Sequence, residues 1–305
     1  MARRRLLTGD ERRRLFDPPV QETAIIGHYT LSAEDVELVG RRYGPANRLG
    51  LAAQIALMRH PGFGLQPEIG LPDVILQYLA AQLFVDPSSF SAYGQRAQTR
   101  TDHADLVARY LGIRPFRRGD LALALNLAAQ AAEYTDRGEP IVRALMVGLK
   151  GERFILPSGD TLERAGLAGR ARARKAAAAA IVEGLSSAEL TRLDELVINN
   201  PDFGMTPLAW LRNFEEAPTA ANINGLLERL RYVRGIGIHP VVGGAIPEFR
   251  FAQFVREGGV APAFLLSDYS VNRRRATLTA AVIDLEARLA DAAIQMFDRL
   301  IGGMF

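Results

Sequence analysis

The 305-residue chain carries 37 Lys and Arg against 34 Asp and Glu, 48% hydrophobic residues and no cysteine. This is an ordinary soluble globular composition, long enough for two or three domains. It excludes disulfides, thiolate zinc sites and thiol catalysis. No apolar run reaches the roughly 18–20 residues that span a bilayer. The basic start, MARRRLLTGDERRR, lacks the apolar core of a signal peptide. A cytoplasmic location is expected.

The pattern predicts an all-α protein, a string of small helical domains with helix–turn–helix-like elements and a long C-terminal helix. Thr8 with Glu11 forms a candidate capping box for a first short helix, and Asp17-Pro18-Pro19 breaks it. Ser32, with Asp35 three residues on, caps a helix over 33–42. Tyr43-Gly44-Pro45 turns the chain into a second helix over 46–59, which stops at His60-Pro61-Gly62. Further helices are predicted over 72–84, briefly near Phe90, and over 99–111. Arg114-Pro115-Phe116 reads as a boundary, so residues 1–114 form the first expected domain. Helices over 121–134, 161–184 and 186–198 follow, with Phe154 to Pro157 as a short extended entry. Asn199-Asn200-Pro201 closes the second domain, 115–200. The third, 201–305, holds helices over 220–234, 247–256 and 273–301. In the last, Leu278, Val282, Leu285, Leu289, Ala292 and Met296 step by four and three, the seam of a coiled coil or bundle.

The charge pattern is more informative than the net charge. Only Lys150 and Lys175 among the 37 basic residues are lysine. Arginine forks onto phosphates and base edges better than lysine does. Residues 38–67 contain no acid and carry Arg41, Arg42, Arg48 and Arg59 at a predicted helix–turn–helix. Asn47 and Arg48 at a helix start could aim amides and a guanidinium at phosphate. Arg41, Arg42 and Arg59 also end helices, where cations favour the macrodipole in any case. A second basic stretch, 95–118, holds Gln98, Arg100, His103, Arg117 and Arg118. The third begins at Arg164 and contains Arg170, Arg172, Arg174 and Lys175 with no acid among them. A solvated helix face is the competing explanation for both. Catalytic constellations are missing: the four histidines are isolated, and there is no phosphate-cradling GxxxxGK[ST] loop.

RLLTGDERRRLFDPP, HYTLSAEDVELVGRRYGPANRLGLAAQIALMRHPGF and QTRTDHADLVARYLGIRPF resemble the N-terminal region of transposases of the Tn 3 family. ILPSGDTLERAGLAGRARA and DFGMTPLAWLR resemble the region that follows. The resemblance implies helical DNA-binding domains that recognise the transposon's terminal inverted repeats. Asn47, Arg48, Arg59, Gln98, Arg100, His103, Arg170, Arg172 and Arg174 lie in the matching motifs. It also implies that the metal-dependent Asp-Asp-Glu catalytic half lies outside this chain. The chain is therefore expected to have no cofactor and no enzymatic activity of its own, with double-stranded DNA as partner and a homodimer as a further association. The 46–59 helix is expected to enter the major groove. The alternative is a helical interaction module without direct DNA contact, whose terminal heptads pair with another protomer or pack on the missing half.

Overall fold

The computed structural model describes residues 5–65, 71–202, 204–215 and 217–302. Gln66 and Pro67, the end of the acid-free stretch, lie outside the described residues, as does Phe203 of the DFGMTPLAWLR motif. The chain forms two compact units, residues 1–170 and 171–305. The expected boundary at 114/115 falls within the first unit and that at 200/201 within the second. The fold is all-α, with one two-residue parallel pairing and two isolated bridges among the described residues.

The first unit is built around one helix. α1 (Gly9–Phe16) starts at the Thr8–Glu11 capping box. α2 (Glu22–Tyr29) has no side-chain cap and no amphipathic signature, which is why periodicity does not reveal it. α3 (Ala33–Gly40) starts at the Ser32–Asp35 box. Gly44, at φ 81°, supplies the left-handed turn into α4 (Pro45–Arg59). Every residue of α4 from Leu49 to Met58 is buried, against α2, α3, α5 (Asp73–Leu83) and α6 (Ala97–Leu111).

α4 therefore cannot lay a face in the major groove, as its sequence suggested. Both faces are covered by protein from Leu49 to Met58, and only its first turn and the half-buried Arg59 at its end reach solvent. The alanines and Gly50 are the reason. Small side chains let neighbours close in all round, so what reads as a polar face is core.

Strand β1 (Arg114–Pro115) pairs in parallel with β2 (Phe154–Ile155), and Leu156 donates to the Gly62 carbonyl at 2.9 Å. The segment read as a boundary is thus stitched to chain forty residues away. α7 (Leu121–Ala132) and α8 (Gly138–Gly151) pack as a hairpin. α9 (Gly159–Glu183) follows and runs through the division between the units.

In the second unit, α10 (Ser187–Glu195), α11 (Pro207–Arg212), α12 (Ala220–Ile236), α13 (Glu248–Val260) and α14 (Ala263–Ser267) gather round α15 (Val271–Gly302). Leu278, Val282, Leu285, Leu289 and Met296 of the heptad seam are buried against Leu193, Leu211, Leu230 and their neighbours. The seam is filled within its own unit. The Ala177–Ala178–Ile181 face of α9 packs on Ile246, Phe254, Ala276 and Ala280.

Gly50 sits where a Cβ would lie 2.1 Å from the Tyr93 ring. Gly50→Ala is expected to cost about 1–3 kcal/mol by overpacking. Gly27→Ala, on an exposed helical position with open space around it, should instead be neutral or slightly stabilising. Urea unfolding of the two variants checks both.

Candidate nucleic-acid interface

The arginines of the first unit divide into those committed to the interior and those left on the surface. Arg59 belongs to the interior. Both its terminal nitrogens donate to the carboxylate of Asp35, Nη2 at 2.7 Å to Oδ1. Asp35 is fully buried, and it also accepts from Tyr110 Oη and the Ser32 backbone N–H, each at 2.8 Å. Burial alone would raise its pKa. The bonds from Arg59, Ser32 and Tyr110 outweigh burial and hold the carboxyl below the ordinary aspartate range.

His103 is buried as well, its Nδ1 3.1 Å from Tyr93 Oη, which accepts from Gln54 Nε2 at 2.8 Å. Burial, with Arg42 nearby, lowers its pKa, so at neutral pH the ring carries no charge for a phosphate. The residue is buried but for a small part that lines a cleft beside Arg42. Arg100 donates to the Gly94 carbonyl, and its own carbonyl accepts from Gln54. Arg170 donates to the Asp136 carbonyl at 3.1 Å.

The remaining candidates stand nearer solvent. Arg41 is exposed and pairs with Glu37 one turn back. Arg48 is exposed, its Nε donating to the Arg42 carbonyl at 3.0 Å, and Asn47 Nδ2 donates to the Tyr43 carbonyl at 3.0 Å. These two bonds brace the α3–α4 turn. Gln98 donates to Asp102 at 2.7 Å. Arg42 lines a cleft of about 300 Å³ with His103 and Arg109, but Asp102 and Asp105 line it too, so its charge is largely balanced. In the second unit Arg172, Arg174 and Lys175 are exposed on α9.

One cleft is different. Arg117 and Arg118, at the entry to α7, meet Arg164 of α9 around a concavity of about 560 Å³. Phe116, Leu121, Leu125, Pro157, Thr161, Ala165 and Ala168 complete the lining, which contains no carboxylate. Two acids close by in the chain stay outside the lining: Asp120 accepts from the Arg117 backbone N–H at 2.8 Å and faces Arg114 at 3.6 Å, and Asp160 pairs with Arg12 at 2.9 Å. Arg164 donates to the Asp160 carbonyl at 3.2 Å and to Thr161 Oγ1 at 3.3 Å. Both acceptors are neutral, so they orient the guanidinium without cancelling its charge. In the sequence Arg164 stands only at the edge of a basic stretch. No local signal joins it to Arg117, since α8 and β2 lie between.

Among the described residues no group of three or more His, Asp or Glu is arranged to hold a metal ion. No helix is long and apolar enough to cross a membrane among the residues searched.

The fold defines a class, all-α proteins that carry solvent-facing arginine clusters, and comparison with known proteins narrows it. The family described as "Domain of unknown function (DUF4158)" matches residues 6–168. The chain belongs to this family, and its relatives support the motif-based reading as the N-terminal part of a Tn 3 family transposase. It is 32% identical over its whole length to the transposase for transposon Tn501 of Pseudomonas aeruginosa and 33% to that for Tn3926 of Escherichia coli. The transposase for Tn1546 of Enterococcus faecium is 28% identical over 98% of the chain. The chain spans 31%, 31% and 30% of these three relatives' own lengths.

Removing Arg59 would strand a buried carboxylate, a loss of about 2–4 kcal/mol. Arg59→Ala is therefore expected to lower the unfolding free energy, whereas Arg48→Ala leaves it nearly unchanged. Because the folded-state pKa of Asp35 is depressed, its contribution is fully present above the unfolded value of about 4 and is lost as pH falls through the folded value. Asp35→Asn should flatten that acid limb in a pH series of urea unfolding curves.

Proposed function

We propose that this chain binds double-stranded DNA and recognises the terminal inverted repeats of a transposon, acting as the end-recognition part of a transposase. The observation that carries this reading is the meeting of Arg117, Arg118 and Arg164 in a cleft that no carboxylate lines. Three such charges demand an anion, and in a relative of transposases DNA is the natural one. The exposed Arg41 and Arg48 of the α3–α4 turn, Gln98, and the exposed Arg172, Arg174 and Lys175 of α9 add further contacts. Affinity comes mainly from phosphate neutralisation, and modules linked along one chain multiply it. Strand cutting and joining belong to the remainder of the parent protein.

The interaction-module alternative rested on the terminal heptads, and those are occupied by packing inside the second unit. Its remaining content is a salt-insensitive association with protein.

Fluorescence anisotropy with a duplex carrying the inverted repeat, at two salt concentrations, tests the proposal. Affinity should fall steeply with salt. Arg117→Ala/Arg118→Ala should reduce the log–log salt slope by about 2, near one for each lost phosphate contact. An undetectable or salt-insensitive interaction would overturn the reading.

A further inference from the structure

A surface that only neutralised duplex phosphates would need no apolar hollow, because paired bases stay stacked inside the helix. The Arg117–Arg118–Arg164 cleft has one. Leu121 and Leu125 of α7 and Ala165 and Ala168 of α9 line it, with Phe116 as an aromatic wall. The Phe116 ring is held edge-on to Phe154 at 5.7 Å, and Arg114 stacks over Phe154 at 3.8 Å. The wall is therefore fixed, not a side chain swinging in solvent. A volume of about 560 Å³ lies in the range of sites that enclose one small planar ligand.

The occupant must be both anionic and apolar. A nucleotide whose base has left the stack is both: a planar ring that buries favourably against aromatic and aliphatic side chains, joined to phosphates. We propose, resting on the DNA-binding reading above, that this cleft takes the base of a single unstacked nucleotide. Phe116, Leu121 and Leu125 receive the ring, while Arg117, Arg118 and Arg164 hold the flanking phosphates. Recognition by stacking tolerates any base, so the cleft reads distortion of the DNA and not its sequence. An acidic amphipathic peptide would satisfy the same charge and apolarity, but it is the less economical occupant in a relative of transposases.

The test compares anisotropy of the full chain on a short random duplex and on the same duplex with one unpaired thymidine bulge. The bulged duplex should bind roughly tenfold more tightly, the usual scale of one stacked base. Ala168→Phe, at an exposed position, should fill the cleft and abolish the preference while keeping paired-duplex affinity. Leu121→Glu, also exposed, should abolish the preference too, while lowering affinity for both duplexes by placing a carboxylate beside the arginines, and it serves if Ala168→Phe fails to fold. Equal binding of the two duplexes by the native chain overturns the inference and leaves the DNA-binding reading standing. Loss of binding to both duplexes overturns that reading and the inference with it. A preference that survives in both folded variants places the base elsewhere and overturns it. An acidic amphipathic helical peptide that binds the native chain but not Leu121→Glu, without any bulge preference, assigns the cleft to a protein partner and also overturns it.

Discussion

The carboxylate of Asp35 has no access to solvent, and that one fact constrains much of the first unit. A buried charge is tolerable only if protein donors replace water. Here Ser32 supplies a backbone N–H, Arg59 two guanidinium nitrogens and Tyr110 a hydroxyl. Those donors come from the start of α3, the end of α4 and the end of α6. The carboxylate thus fixes three helices to one point and is itself a helix cap. The α3–α4 turn, with Arg41, Arg42 and Arg48, is held in place by this arrangement.

The same logic explains much of the arginine-rich composition. Several guanidiniums are internal ties. Arg12 reaches Glu163 and Asp160, drawing α1 to α9 within the first unit. In the second unit Arg212 donates to the Gly258 and Ala261 carbonyls at the end of α13. Arg229 closes the end of α11 through the Trp210 and Asn213 carbonyls while lying over the Trp210 ring at 4.6 Å. Asp194 takes both Arg274 and Arg275. A planar five-donor group suits these forked contacts, which a lysine could not reproduce. Arginine count is therefore a poor guide to a binding surface. The useful distinction is whether a guanidinium is answered by a carboxylate or only oriented by neutral acceptors, as Arg164 is.

Legibility in the sequence followed the range of the physics involved. Capping is local, so Thr8–Glu11, Ser32–Asp35 and the Gly44 turn could be read from neighbours in the chain. The seam of α15 was also legible as a stripe of spacing four and three. Its partner was not, because a heptad looks the same whether it meets another copy or the protein's own α10, α11 and α12. α2 escaped because it has neither a side-chain cap nor an apolar stripe, whereas α8 carries a clear stripe of Ile141, Val142, Leu145 and Leu149 and was missed despite it. The pairing of β1 with β2 joins two residues to two others far along the chain, too little pattern to announce itself.

The sequence by itself determined the helical class, most helix starts and the family resemblance that the comparisons support. These rest on residues within a few positions of one another, where backbone and side-chain preferences act directly. Only the tertiary structure decided which arginines remain available. It turned Arg59 and His103 inward, because their partners Asp35 and Tyr93 lie in other elements. It enclosed α4, because small residues on both faces admitted neighbours. And it set Arg117, Arg118 and Arg164 round one apolar cleft, because charge accumulates where the fold brings helices together, at distances in sequence that no local pattern spans.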